Sequence, residues 1–307
     1  MIAYKLLTRD DYEDYLDLVL YFERSLVRDL WDQDRCLAIG AAAGTVKAGL
    51  GLVTLPPVKT GLPLLHTVYV LPEYRNQGIG AGLVDRLISA VQRDGWEQMM
   101  VKYVLEHDWS PALGRILARR GFEETGRTKI FNIHVGKDHL DRLLIHMQSL
   151  LPGKKRQLPP AYRLLPYRDM TLDLRARIEA GRGQWFAGDV DPLANPQRIN
   201  QEKSIFLLNE EEPVGWLIIC DIGPGAVLYR DMAIKPGHRG TGLSLHLLLR
   251  GLEWLCDSGK ITKALFNTSA ENQKMLSLMP KVLEPCVYTV RTSATLLKKL
   301  PQPQNCQ

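Results

Sequence analysis

Tyr69-Val-Leu-Pro-Glu-Tyr-Arg-Asn-Gln-Gly-Ile-Gly-Ala81 is the stretch that decides how this chain is read. Upstream of it, residues 64–70 are apolar and β-favouring, and Pro72, lacking an amide hydrogen, ends any ladder there. Downstream, Val84, Leu87, Ile88 and Val91 recur at helical spacing until Gly95 supplies a left-handed stop. The spacing therefore predicts strand, loop and helix, with the helix starting near Gly78. In the loop, glycines let backbone approach a ligand closely. The first helical turn leaves its amides unpaired at the positive end of the helix dipole, an arrangement suited to a pyrophosphate. No Gly-Lys-Ser/Thr follows, which excludes a Walker A loop. Leu83 stands where a dinucleotide fingerprint wants its third glycine.

The full spacing Val70-x-Pro72-x-x-Arg75-x-x-Gly78-x-Gly80 resembles the acyl-CoA pyrophosphate loop of the GNAT N-acetyltransferase superfamily. The rest of the first half is similar to that fold in element order. Residues 2–7 read as a strand, and Thr8 with Asp11 as a capping box opening a helix through Tyr12, Tyr15, Leu16, Val19 and Phe22. A hairpin follows over residues 36–43 and 46–55, then the organising strand and helix, and a strand over residues 99–105. A helix opening at Ser110-Pro111 stops at Gly121-Phe122, and residues 128–135 supply a last strand.

Residues 138–151 form an amphipathic helix, after which a proline- and lysine-rich run to Pro160 marks a linker. The beginning is then repeated. Tyr162-Arg-Leu-Leu165 echoes Tyr4-Lys-Leu-Leu7, Pro236-Gly-His-Arg239-Gly-Thr-Gly242 is in step with Pro72 to Gly78, and Gly259 answers Gly95. The expected fold class is α/β, as two tandem GNAT-like domains, each an open mixed, mainly antiparallel sheet flanked by helices. The expected limits are residues 1–136 for the first domain, 137–160 for helix and linker, 161–300 for a degenerate second domain and 301–307 for a tail.

Composition narrows the function. The 307 residues are enough for two cores, and thirty-nine Lys and Arg against thirty-four Asp and Glu give +5 with interspersed signs. Without a basic block interleaved with aromatics, nucleic acid is not an expected partner. Cys36, Cys220, Cys256, Cys286 and Cys306 are scattered without Cys-x-x-Cys spacing, so neither a disulfide framework nor a metal site is expected and a reducing cytoplasm fits. Lys5, Arg9, Asp10 and Asp11 precede any apolar run that could act as a signal, and no stretch reads as a membrane span.

The resemblance implies transfer of an acetyl or longer acyl group from acyl-CoA to a primary amine of a small molecule or peptide, by direct attack in a ternary complex. It assigns donor binding to Val68, Val70, Arg75, Asn76, Gln77, Gly78, Ile79, Gly80, Ala81 and Ser110, with backbone amides near Val68 and Val70 polarising the carbonyl. His66 stands where many members carry a glutamate base; its other reading is a half-buried histidine bonded to a neighbour. The tyrosine acid of the family is replaced by Leu117, leaving Tyr69 or Tyr103 as substitutes or no acid at all. Arg115, Arg119 and Arg120 either reach the CoA 3′-phosphate or form a solvated face.

In the second half Arg239, Gly240, Thr241, Gly242 and Ser244 form a possible second CoA loop, and Arg230 matches His66. Trp185, Phe186, Asp189 and Asp191 are candidates for acceptor recognition or belong to a plain surface loop. The competing function is a non-catalytic protein that senses acyl-CoA or binds a peptide.

Overall fold

A computed structural model describes residues 1–301 other than 21–23, 60, 136, 151–156, 187–189, 195 and 259. Most of the proline- and lysine-rich run, Asp189, Gly259, Phe22 and the tail after Pro301 thus lie outside the described residues. The chain divides into two compact units, Met1–Thr128 with Arg291–Gln307, and Lys129–Val290.

Unit 1 opens with β1 (Ile2–Leu6), α1 (Arg9–Tyr12), a 3-10 turn (Glu13–Leu18) and α2 (Arg24–Asp32). The hairpin β2 (Cys36–Ala43) and β3 (Val46–Thr54) leads to β4 (Leu64–Val70). Then come α3 (Ile79–Arg93), β5 (Gln98–Val104), α4 (Ser110–Ala118) and the strand β6 (Glu123–His134), which carries the chain out of the unit. Strands β1 to β4 are successively antiparallel, and β4 is parallel to β5. One face of the sheet packs Leu83, Leu87, Met99, Val101, Leu117 and Leu296 under α3 and α4. The other packs Ala38, Leu50 and Leu52 under Tyr12, Tyr15, Leu16 and Val27.

The capping box at Thr8 forms, with the Thr8 amide donating to Asp11 at 3.0 Å, but the helix it opens is short. Tyr12 and Leu16 are buried as their spacing requires, on α1 and the 3-10 turn rather than on one long helix. Extended backbone at Val19 then breaks the run.

Unit 2 repeats this order. After the second part of β6 come α5 (Lys137–Ser149), β7 (Tyr162–Pro166), α6 (Leu172–Gly181), β8 (Ile205–Asn209), β9 (Glu212–Gly223) and β10 (Ala226–Ile234). α7 (Leu243–Ser258), β11 (Lys263–Ser269), α8 (Gln273–Val282) and the start of β12 (Val287–Lys299) complete it. Neighbouring strands run in the order β6-β11-β10-β9-β8-β7. Helices α5, α7 and α8 cover one face, with Met147, Leu247 and Met279 in the core. The other face buries Trp216, Phe206 and Ile218 beneath Leu174 and Ile178 of α6.

The compact units do not follow the limits expected at residues 136 and 161. The strand expected to close the first domain passes into unit 2, where Phe131 and Ile133 join its core. Unit 1 is closed instead by the end of the chain. Ser293 to Lys299 of β12 pair antiparallel with Val104 to Gln98 of β5. Leu300 N donates to Glu97 O at 2.7 Å, Lys298 Nζ to Arg120 O at 2.6 Å, and Thr292 N to the Glu106 carboxylate at 2.7 Å. The physical reason is burial: Ala294 and Leu296 are 0% and 6% exposed, so the alternating apolar residues of the last strand supply core that unit 1 lacks without them.

This closure generates a prediction. Leu296→Asp buries a charge in unit 1 and is expected to lower its unfolding free energy by about 3–5 kcal/mol. Lys299→Ala, at an exposed position of the same strand, should change it by less than about 0.5 kcal/mol. Urea titration followed by hydrogen exchange at β5 amides checks both; equal effects would mean that β12 contributes no core.

Candidate functional site

The donor loop is built by two residues in left-handed backbone. After the 3-10 turn Pro72–Tyr74, Asn76 takes φ +62° and Gly78 φ +78°. Asparagine tolerates that region and glycine has no penalty there. Arg75 is held against the strand it follows, its Nε donating to Val70 O at 3.1 Å. Ile79 is 1% exposed and anchors the loop in the core, while Gln77 Nε2 reaches back to Glu73 O at 3.4 Å. Gly78 O accepts the first helical bond, from Gly82 N at 3.0 Å. Among the described residues nothing accepts from the backbone amides of residues 77–81. Five amide donors are thus left unpaired at and just before the start of a fifteen-residue helix, the electropositive end that favours phosphate.

Beside this loop the sheet opens. The parallel ladder between β4 and β5 consists of Leu64 with Met100 and Leu65 with Val101, and beyond it β4 makes no ladder bond to β5. A bulge coincides with the parting. Leu52 pairs with Thr67 and Val53 with Leu65, leaving His66 as the extra residue. Its Nδ1 lies 3.0 Å from the hydroxyl of the adjacent Thr67, which agrees with the reading of a half-buried histidine bonded to a neighbour.

Past the bulge, Val68 and Val70 turn to the α3 and α4 face. There they and Ile116 surround Gly80, at 3.6 to 3.9 Å from the position a Cβ would take.

The remaining candidates separate. Tyr69 alternates to the face opposite Val68 and Val70, opposite Leu50 of β3. Tyr103 lies on the α3 and α4 side, with its hydroxyl against Gly114 of α4. Burial, aided by Glu124, pushes its phenol above the ordinary range, so it stays protonated at neutral pH. Leu117, at the tyrosine position, is fully buried in the core. Ser110 is 3% exposed and donates to Val104 O at 2.5 Å, so its hydroxyl pins the start of α4 to β5.

Unit 2 reproduces the loop with different residues. Gly240 and Gly242 take φ +79° and +89° after the turn Pro236–His238, and Arg239 Nε donates to Ile234 O at 2.9 Å. The Thr241 hydroxyl bonds His238 O at 2.8 Å, and Gly242 O accepts from Leu245 N, beyond Ser244.

The bulge also recurs, since Tyr229 pairs with Ile219 and Asp231 with Ile218, and its extra residue is Arg230. This guanidinium is committed to the Asp231 carboxylate, Ala194 O and Asp191 O. Asp191 in turn accepts from Arg182 at 2.7 Å and from Leu193 N at 2.9 Å. Trp185 and Phe186 pack edge-on or tilted around Trp216 with ring centroids within 5.0 Å. The described members of the expected acceptor segment are thus engaged in a turn and an aromatic core. A separate apolar cavity of about 40 Å³, lined in part by His134, Tyr229 and Cys286, lies within unit 2.

Comparison with known proteins agrees with this geometry. The family model for the acetyltransferase (GNAT) family matches residues 3–122 and 172–283, and the chain belongs to that family as a tandem protein. A tandem GNAT protein from the clavulanic acid biosynthesis pathway is 14% identical with a TM-score of 0.68, over 99% of this chain and 100% of its own. A GCN5-related N-acetyltransferase from Sphaerobacter thermophilus is 14% identical with a TM-score of 0.65, over 98% of this chain and 96% of its own. At these identities the likeness concerns the fold. A search of curated proteins finds no match. No described helix is long and apolar enough to cross a membrane.

Because Asp231 is only 8% exposed, removing its guanidinium partner is costly. Arg230→Ala is expected to destabilise unit 2 by about 3 kcal/mol in chemical denaturation. A loss below about 1 kcal/mol would show that the Asp191 to Ala194 turn does not depend on this side chain.

Proposed function

We propose that the protein is a CoA-dependent N-acyltransferase in which unit 1 binds the donor and carries out transfer of an acetyl or longer acyl group to a primary amine of a small molecule or peptide. The observation that carries this reading is the set of five unpaired amides at residues 77–81, beside the point where β4 leaves β5, in a chain of the GNAT family. Those amides and the helix dipole would hold the pyrophosphate. The pantetheine arm would enter between the parting strands along Val68, Val70 and Gly80, and backbone amides near Val68 and Val70 would polarise the thioester carbonyl.

In this mechanism the amine attacks the carbonyl carbon, the C–S bond breaks after the tetrahedral intermediate forms, and the amine proton goes to His66 directly or through water. The hydroxyl of Thr67 would fix the imidazole by its bond to Nδ1. CoA thiolate is a good leaving group, which suits a site with buried Leu117 in place of an acid. Tyr103, protonated and on the helix face, is the better placed of the two tyrosines if the thiolate receives a proton. Unit 2 keeps the loop backbone but has Arg230 at the base position, already bonded three ways. A guanidinium held in this way cannot take up the amine proton, so the proposal gives unit 2 no part in proton transfer.

The buried leucine at the acid position also motivates the second reading, an acyl-CoA sensor without turnover. Thiol release over a panel of amines separates the two, since CoA binding without release favours the sensor. For the enzyme, His66→Ala is expected to lower kcat about 10²–10⁴-fold near neutral pH while CoA affinity stays within about twofold. An unchanged rate removes His66 from the mechanism. Gly78→Glu, which sets a carboxylate against the amides, should abolish CoA binding; loss on Gly242→Glu instead would move the donor to unit 2.

A further inference from the structure

The two strands that part in unit 1 carry, besides His66, a single ionisable cation, Lys102 of β5. Met99, Val101 and Tyr103 face the core under α3 and α4, so alternation sets Lys102 on the opposite face of the sheet. Lys102 directly follows Val101, the last residue of β5 that pairs with β4, and is therefore the first residue on the edge left open. Had the ladder run one step further, its partner would have been His66, the extra residue of the bulge. Thr67 pairs with Leu52, which belongs to the core on this same face, and the contact between Thr67 and His66 draws the imidazole to it.

The charge of Lys102 is not compensated. The side chain is exposed and has no hydrogen bond or ion pair among the described residues. Its neighbours on this face of the sheet, Thr67, Tyr69, Met100, Val104, Ser293 and its register partner Thr295, include no carboxylate. Five carboxylates of the segment that packs on this face are used elsewhere. Asp11, Glu13, Asp14, Asp17 and Asp32 are paired with Lys5, Arg28, Lys47, Arg24 and Arg9 in turn.

A cation at this place acts on whatever amine approaches His66. It disfavours the ammonium form and so favours the neutral amine that attacks a thioester. It repels an acceptor that carries further positive charge, and it attracts one that carries a carboxylate a few bonds from the amine. We propose that Lys102 is a specificity residue that pairs with a carboxylate of the acceptor, so that unit 1 acylates amino acids or similar amino carboxylates and not polyamines or other polycations. The inference rests on the reading of unit 1 as the transferase and adds the acceptor class to it. The carboxylate forms an ion pair only; the amine nitrogen still makes the new bond to the acyl carbon, and the CoA thiolate still leaves.

The experiment measures thiol release from acetyl-CoA and octanoyl-CoA with the common amino acids, their carboxamides, butylamine and spermidine. It is run on the full chain and on its Lys102→Met and Lys102→Arg variants, with CoA affinity and melting temperature as controls of folding. Amidation removes the charge and leaves more of the amine unprotonated, so without a charge subsite the carboxamide is the better acceptor. At least one amino acid is expected to exceed its carboxamide about tenfold or more in kcat/KM, with spermidine a poor acceptor. Lys102→Met should reduce that preference to about twofold or less, mainly through KM, and Lys102→Arg should restore it. Carboxamides, butylamine or spermidine used as well as the acids, or a preference that survives Lys102→Met, overturns the inference and leaves the transferase reading standing. CoA binding with no thiol release for any acceptor removes the transferase reading, and the acceptor class with it.

Discussion

Two register pairs hold β4 against β5, and the architecture of unit 1 depends on there being no more than that. A parallel ladder continued to Val70 would satisfy the strand edges and close the sheet over the place where a ligand must enter. Stopping it early leaves β5 short of pairing on one side. On its other side, seven consecutive residues of β5 pair with β12. The groups of β5 that face the opening have no strand partner beyond Val101, because the ladder to β12 uses the groups that point to the opposite edge. The bulge at His66 falls where the strands part and leaves one extra residue in β4 there.

The two units show how much of such a site can be kept while its chemistry changes. Both loops place left-handed residues two apart, both pin an arginine Nε to the last strand, and both have one extra residue in the bulge. At that extra residue one unit has an imidazole, a side chain whose ring nitrogens can both donate and accept a hydrogen bond. The other has a permanent cation whose five donors are largely engaged by a carboxylate and two carbonyls. Backbone geometry therefore fixes where a functional group stands, and a single side chain decides whether it can exchange a proton.

Much of this was legible in the residues. Gly78 and Gly242 announce left-handed backbone, the Pro72 and Pro236 turns announce strand ends, and the internal repeat places Arg230 opposite His66 in register, which the matching bulges bear out. The apolar face of α3 follows directly from the spacing of Val84, Leu87 and Val91. Strand partnership was not legible: residues 128–135 and 293–299 have nearly the same alternation, and nothing local says which sheet either completes. Pairing over nearly two hundred residues is decided by which core has room for Ala294 and Leu296. Side-chain bonds were equally hidden. Ser110 and Asp191 carry the residue types of a binding site, yet each is used up by an amide or carbonyl within a few residues or across a turn.

The closing strand has a consequence for biosynthesis. Residues of β5 leave the ribosome long before β12 is made, since almost all of unit 2 lies between them in the sequence. The half that is translated first is thus the half that can be completed only after β12 has been made. Until then its β5 edge is an unpaired template, the kind of surface that recruits stray strands. A nascent chain stalled within unit 2 would hold a finished helix start and phosphate loop on an unfinished sheet. Emergence of residues 293–299 is then the step that turns an aggregation-prone intermediate into a competent domain.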